Sequence, residues 1–436
     1  MWELFLKPGV RIKRWILILI GSCFTVALSL SGEINLDIIS IHINIYVRIV
    51  LFLCGTVLFL FGIYKLLFRL FSFINFNLTH MNKKEIFDAL YTNSILKKGA
   101  KIVAIGGGTG LSTMLRGLKR LSTNITAVVT VADDGGGSGI IREDLGMLPP
   151  GDIRNCILAL AHTEDIMQRL LQYRFTEGSL KGQSFGNLFL AAMTGVANSF
   201  EKAVKYMSDV LAVQGKVLPV SLESIHLGAN LENGNTVIGE SKIPDVVKLQ
   251  NTRISNVFLL PEKPKVNIEV IDEIKSADLI IIGPGSLYTS ILPNLLFDDI
   301  VQAIKSSSAK KIYIANVMTQ PGETDGMSLA EHIEVIERHC KGRLFDIIIV
   351  NNQAIPDDIL EKYRKDGAEP IYIDDGLTLK GYVIIKDNLL STKDGYVRHS
   401  PSKLANVISQ VAYGKNVIKD YKRFSVIFNL FLKFTK

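Results

Sequence analysis

Five short apolar runs in this chain each stop at a cluster of glycine, proline, aspartate or asparagine. Lys101–Ile105 runs into Gly106-Gly107-Gly108-Thr109-Gly110. Ile125–Val131 runs into Ala132-Asp133-Asp134-Gly135-Gly136-Gly137-Ser138-Gly139. Leu279–Ile282 leads to Gly283-Pro284-Gly285-Ser286, Lys311–Ala315 to Asn316, and Ile347–Val350 to Asn351-Asn352. Continuous apolar runs suit strands buried on both faces, the condition of a parallel sheet covered by helices. Between the first two runs, Leu111, Leu115 and Leu118 recur at helical spacing. Strand, glycine loop, helix, strand is the opening of a doubly wound sheet, whose ligand crevice lies at the carboxyl ends of its strands. The expected fold is α/β: a Rossmann-like, doubly wound, mostly parallel sheet. From about 215 to 265 the pattern changes. Val217–Ala229 and Asn235–Ile238 read as short strands around the turn Asn233-Gly234, and Asn251–Leu260 adds another. A β insertion is expected there.

Two charge-free stretches precede this body, Trp15–Ser31 and Ile49–Tyr64, the second extended by apolar residues to about 70. Each approaches the roughly 20 residues that span a bilayer. Two transmembrane helices, about 15–31 and 49–70, are the expected reading, within a membrane anchor over 1–75. A cleaved signal peptide and buried core helices are the alternatives; no clear small-x-small cleavage site precedes a mature start. Lys7, Arg11, Lys13 and Arg14 lie before the first stretch and Lys65, Arg69, Lys83 and Lys84 follow the second, while the connecting loop holds Glu33 and Asp37. The positive-inside rule then places both ends in the cytoplasm. The expected location is the cytoplasmic membrane, multi-pass, with both termini and the ligand-binding domain cytoplasmic. A polar linker is expected over 76–98 and the body over 99–418. The tail 419–436 is basic and aromatic; it suits a membrane surface or a terminal element packed on the body.

The net charge of +7 belongs to these flanks. Residues 1–14, 65–101 and 419–436 carry +3, +5 and +4, residues 33–48 carry −1, and the body from 102 to 418 is left at −4. A nucleic-acid-binding body would need a basic face, so nucleic acid is excluded as the expected partner. The four cysteines, Cys23, Cys54, Cys156 and Cys340, have no metal-site spacing and fit a reduced, intracellular body. The seven histidines form no HxxxH or HxH pattern, and His332 and His339 read as surface residues of one helix. No GxSxG or Ser/His/Asp pattern is present, and no catalytic residue is assigned.

The loops carry the chemistry. Gly106, Gly107, Gly108, Thr109 and Gly110 allow close backbone approach to a ligand, and the helix that follows offers free N–H groups to a phosphate. The loop is neither a Walker A motif nor a clean GxGxxG. Asp133 and Asp134 end the second strand, where an acid binds a ribose hydroxyl, holds a divalent ion, or caps a turn. In Pro149-Pro150-Gly151-Asp152-Ile153-Arg154-Asn155, Asp152 is a ligand group or the N-cap of the next helix, and Arg154 suits a phosphate clamp. Ser184 and Asn187 sit at another helix start, as a cap or as ligand groups. Gly283, Gly285 and Ser286 form a further strand-to-helix loop. Asn316, Thr319 and Thr324 follow the fourth run.

Taken in order, Gly106–Leu111 (GGGTGL), Asp133–Gly139 (DDGGGSG), Pro149–Asn155 (PPGDIRN), Gly186-Asn187, Gly283–Leu295 (GPGSLYTSILPNL) and Val317–Gly326 (VMTQPGETDG) resemble the gluconeogenesis factor family, a bacterial group related in fold to 2-phospho-L-lactate transferase. The resemblance covers about residues 99–415. It implies a Rossmann-like sheet that binds UDP-sugars such as UDP-N-acetylglucosamine, with links to carbon metabolism, cell-wall synthesis and cell shape. It also singles out Tyr363, ahead of Arg364-Lys365-Asp366-Gly367, and Arg398 within Tyr396-Val397-Arg398-His399. An aromatic ring stacks on a uracil or sugar face, and an arginine clamps a diphosphate.

The resemblance implies a UDP-sugar-binding regulatory protein that needs no cofactor, with cell-wall synthesis proteins as partners; the apolar stretches add the membrane, and a second copy of the chain is a further expected partner. The alternative is a metal-dependent phosphotransferase, in which Asp133 and Asp134 hold Mg²⁺ against a phosphate on the glycine loop. The related transferases carry an acid-rich segment where this chain has Pro149-Pro150-Gly151-Asp152, which disfavours phosphotransfer. A dehydrogenase reading rests on a glycine loop and an acid alone. The membrane hairpin is additional to the soluble family core.

Overall fold

The computed structural model describes residues 12–31, 33–36, 39–42, 44–78, 96–162, 165–373, 381–392 and 395–414. The expected tail over 419–436 and most of the linker, 79–95, lie outside the described residues. The chain divides into two compact units, Met1–Leu90 and Tyr91–Lys436.

The first unit is a helical hairpin. Helix Ile12–Ser31 leads through the antiparallel strands β1 (Glu33–Leu36) and β2 (Ile39–His42) to helix Ile45–Leu78. The helices meet at small residues. A Cβ on Gly55 would lie 2.8 Å from Thr25 Oγ1 and from Val26 Cγ2, and one on Gly62 would lie 3.0 Å from Leu19. Ser22 and Ser29 are buried. Trp15 packs edge-on against Phe61 at 5.8 Å. Arg48 donates to the carbonyls of Ser29 and Leu30, both at 3.0 Å, and so closes the end of the first helix. Of the two spans expected, one stands as a candidate. Ile45–Lys65 is long and apolar enough to cross a membrane, with mean hydropathy 2.2. In the first helix, Leu17–Ser31 is a shorter apolar stretch.

The second unit is built on seven parallel strands: β3 (Ile102–Gly106), β4 (Ile125–Val129), β5 (Lys216–Pro219), β9 (Leu279–Ile282), β10 (Lys310–Ile314), β11 (Ile347–Asn351) and β12 (Val383–Asp387). Their order is β12-β11-β10-β9-β3-β4-β5, every neighbouring pair parallel. The β3, β4 and β9 strands are buried along their whole length. The edges are blunted, by Lys216 and Pro219 in β5 and by Lys386 and Asp387 in β12. The chain winds outward from β3 through β4 to β5. It then returns to β9, on the other side of β3, and winds outward again. The switch point therefore lies between β3 and β9, where the first and third glycine loops emerge side by side.

The expected insertion resolves into two parts. Lys216–Pro219 joins the main sheet as β5, while β6 (His226–Leu231), β7 (Thr236–Ile238) and β8 (Ile254–Leu260) make a separate antiparallel sheet, order β7-β6-β8. The short strands β13 (Leu390–Ser391) and β14 (Arg398–His399) pair near the carboxyl end. His332 and His339 are not surface residues. His332 is buried and donates to Ser328 O at 2.8 Å; His339 donates to Val335 O and accepts from Val257 N at 3.2 Å. A ring N–H satisfied by its own helix lets a neutral imidazole enter the core.

Candidate functional site

The first loop is shaped by packing. Gly107 is extended and Gly108 has φ +66°. A Cβ on Gly107 would stand 2.7 Å from Thr130 and 2.8 Å from Asp152, and one on Gly110 would stand 2.5 Å from the Pro284 carbonyl oxygen. The loop thus touches the Asp152 segment on one side and the Gly283–Ser286 loop on the other. Gly107 at the N-cap has no side chain to cap the helix Gly108–Leu118; the Gly108 N–H is taken instead by Asp152. The helix starts at the switch point, where its positive end favours an anion.

Asp152 is not an N-cap; Pro150 holds that position of helix Gly151–Leu160. The Asp152 carboxylate instead accepts the Gly108 N–H at 2.6 Å. Burial, with Asp133 nearby, pushes its pKa up to about 6. Asp133 accepts from Gly135 N at 2.9 Å, and burial raises its pKa also. Asp134 faces elsewhere. It accepts from Glu240 N at 3.1 Å and Ser241 N at 2.8 Å, latching the β7 end of the small sheet to the Asp-Gly loop. Its neighbour Glu240 has a pKa pushed up to about 8 by burial and by the surrounding acids Asp133 and Glu323. Among the described residues, no group of three His, Cys, Asp or Glu is placed to hold a metal ion.

Arg154 is buried and donates to Ser184 Oγ and, at 2.8 Å, to Asn155 Oδ1. Ser184 caps helix Phe185–Ala197 by accepting from Asn187 N. Arg154, Asn155, Ser184 and Asn187 therefore form one connected polar cluster. Within it, Arg154 Nε and Asn187 Oδ1 are buried without a hydrogen-bond partner.

On the other flank, Asn316 clamps the Gly285 peptide from both sides, accepting from Gly285 N at 3.2 Å and donating to Gly285 O at 2.7 Å. Ser286 Oγ donates to Gln320. Thr319 exchanges two hydrogen bonds with Glu369, and Thr324 Oγ1 accepts from Gln320 N. These two threonines brace the loop rather than open into the crevice. Glu323 sits beneath, taking bonds from Tyr288 N, Thr289 Oγ1 and Gln320, and burial pushes its pKa to about 7.

Tyr363 and Arg398 come to the same place. With Thr109, Gly110, Gly285 and Asn316 they line a cavity of about 190 Å³. The Tyr363 hydroxyl accepts from Val397 N at 3.0 Å, which fixes the strand that presents Arg398. The Arg398 guanidinium is exposed, 5.7 Å from the Tyr396 ring. A second guanidinium, Arg116, lies on the helix of the glycine loop; burial and the charge of Arg398 both lower its pKa. Two cations held near each other favour an anion between them. His399 is buried in the same wall, its pKa lowered to about 4 by burial, so it is neutral at physiological pH. A larger hollow of about 500 Å³ beside β5 lies away from every glycine loop.

The sequence reading missed Arg116, Glu240, Glu323 and His399. Glu323 and His399 lie inside or beside quoted motifs, and Arg116 follows the glycine loop on its own helix. Glu240 had no local signal, because Asp134 finds it 106 residues away.

Comparison with known proteins gives the same picture for the second unit. The model of the 2-phospho-L-lactate transferase CofD family matches residues 102–390. The gluconeogenesis factor of Bacillus subtilis is 48% identical over 310 residues, 71% of this chain and 96% of its own length. A relative from Clostridium acetobutylicum is 45% identical over 432 residues, 98% of this chain and 95% of its own, long enough to take in both units. A crystal structure of a UPF0052 family member from Bacillus halodurans superposes with a TM-score of 0.68 at 47% identity, covering 70% of this chain and 98% of that one. With a family model over more than half its length and relatives this similar over nearly their full span, the chain belongs to the gluconeogenesis factor family and carries a CofD-like α/β body.

Proposed function

We propose that the body binds a UDP-sugar, UDP-N-acetylglucosamine or a close relative, and acts as a regulatory protein coupling carbon metabolism to cell-wall synthesis and cell shape. The observation that carries this reading is the convergence of Tyr363 and Arg398 on Thr109 and Gly110 in one cavity. An aromatic ring, a guanidinium and a helix N-terminus are what a nucleoside diphosphate needs for stacking, charge and phosphate contact. Occupancy regulates a partner only if the ligand favours one of two shapes of the protein. The clamp of Asn316 on Gly285 and the latch of Asp134 on Glu240 are the elements in position to differ between such shapes.

The hairpin of the first unit tethers this body to the membrane. Support comes from Ile45–Lys65, from the glycine-lined helix contact, and from the apolar outer faces of both helices. The two helices cross as a pair with both termini and the body on the cytoplasmic side, as the basic flanks direct. That side is where a wall-synthesis protein and a second copy of the chain would meet it.

A metal-dependent phosphotransferase is the second reading, favoured by the CofD family match. Against it, both Asp134 oxygens already serve backbone N–H groups. Calorimetric titration of the full chain with UDP-N-acetylglucosamine, UDP-glucose and NAD, with and without Mg²⁺, separates the two. Saturable UDP-sugar binding with the nucleotide recovered intact is the expected result. Recovery of UMP or a transferred phosphoryl group makes the protein an enzyme, and absence of UDP-sugar heat ends the regulatory reading.

A further inference from the structure

The cavity of Tyr363 and Arg398, at about 190 Å³, is too small for a nucleotide-sugar, since sites for ligands of that size run to about 300–1,000 Å³. A second cavity of about 600 Å³ lies at the carboxyl ends of β10 and β11 and shares Asn316 and Val317 with the first. One helix borders both: Asp357 and Leu360 line the second cavity, and Tyr363, three residues on, lines the first. The two adjoin at Asn316 and Val317, along the carboxyl ends of the strands.

The second cavity differs in chemistry from the rest of the crevice. Leu329, Val350, Ile355, Leu360 and Ile371 give it apolar walls, and the exposed Asn352, Asp357 and Lys386 also line it. Gln353 is its fixed polar point. The Gln353 backbone is pinned by Asn351, whose Nδ2 donates to Gln353 O at 2.8 Å and whose Oδ1 accepts from Gln353 N at 3.3 Å. The side-chain Oε1 of Gln353 is buried with no hydrogen-bond partner. An orphaned acceptor among apolar walls complements a flat ring that presents an N–H. The opposite end, beyond Gly108, holds Asp133, Asp152 and Glu240. Acids there repel phosphate and accept hydroxyl hydrogens, and they offer no apolar face to a base.

We propose that the cavity at the ends of β10 and β11 is the base-binding subsite, which fixes the direction of the ligand: heterocyclic base against Gln353, diphosphate across Thr109–Gly110 beside Arg398, and sugar hydroxyls toward Asp133 and Asp152. This rests on the nucleotide-sugar reading above and adds where each part of the ligand lies. The imide N–H of uracil supplies the donor that Gln353 lacks. Cytosine, which carries a lone pair at that ring nitrogen, does not supply it there.

The test is photolabelling of the full chain in detergent with 4-thio-UDP, with adducts located by peptide mass spectrometry and UDP-N-acetylglucosamine as competitor. Protected adducts within residues 350–360 are expected. Ala354→Trp, which puts an indole into the cavity from its exposed rim, and Gln353→Leu should each weaken UDP-N-acetylglucosamine binding by about tenfold, the scale of one lost hydrogen bond to a buried partner. Protected adducts within 133–155 or 183–190 overturn the assignment by reversing the ligand. Wild-type affinity in both variants overturns it as well. If the unmutated chain shows neither protected labelling nor calorimetric heat with UDP-N-acetylglucosamine, the nucleotide-sugar reading fails and takes this inference with it.

Discussion

The Asp152 carboxylate accepts the Gly108 N–H at 2.6 Å across 44 residues of sequence. That bond puts an acid directly under the loop proposed to meet phosphate, and burial holds the acid's pKa near 6. Glu323 at about 7 and Glu240 at about 8 extend the same acidic reserve. As pH rises from about 5 to 8, these groups lose protons and negative charge accumulates beside the site. A UDP-sugar has no titrating phosphate proton in this window, so its own charge stays fixed. Affinity should fall about three- to tenfold over the window, the size of a partly screened like-charge contact. Asp152→Asn should flatten the lower half of the profile; calorimetry at several pH values checks both.

Stability should carry the same signature. The folded Asp152 pKa is raised, so the folded protein holds this proton more tightly than the unfolded chain does. Its contribution is complete below the unfolded value of 3.8 and is lost as pH climbs through about 6. The loss amounts to about 3 kcal/mol. Urea melts of wild type and Asp152→Asn should therefore converge at acid pH, with the variant relatively more stable near neutrality. An unchanged difference across pH would mean that folding leaves the Asp152 pKa at its unfolded value.

Asp134 is assigned a latch rather than a metal-ligand role. Asp134→Ala removes two backbone bonds to a charged acceptor, at 3.1 and 2.8 Å, and should cost about 2–3 kcal/mol. Hydrogen exchange should speed up at residues 239–242 and leave β3 protected. Mg²⁺ should not restore the wild-type stability. A ligand of a bound ion would instead show metal-dependent melting that the substitution abolishes.

How much of this was legible in the sequence depends on how far each residue's partner lies along the chain. The β3, β4, β9, β10 and β11 strands were readable because apolar runs buried on both faces need no partner to be recognised. Gly106–Gly110 and Gly283–Ser286 were readable as loops, yet their contact at Gly110 and Pro284 follows from sheet order, which no local pattern contains. Lys216–Pro219 was grouped with the small sheet because four residues ending in proline look alike in either setting; pairing with β4 decided it. Asp152 looked like a cap because acids favour first turns, and only tertiary contact redirects it to Gly108. Glu240 was invisible for the same reason, since its environment comes from Asp133 and Glu323 rather than from its own segment.

Gly110 gives the most direct test of the switch-point geometry. A methyl at this position would stand 2.5 Å from Pro284 O and 2.8 Å from its carbonyl carbon, both backbone atoms that cannot swing aside. Gly110→Ala should cost about 1–3 kcal/mol, as overpacking does, and should abolish UDP-sugar binding by parting the two loops. Gly136→Ala is the control. Gly136 has φ +47° with open space around it, so a side chain there meets strain of about 1 kcal/mol but no collision. Equal losses of affinity in the two variants would show that loop flexibility, not the contact between the first and third loops, governs the site. Loss in Gly110→Ala alone would place the ligand over the β3–β9 junction.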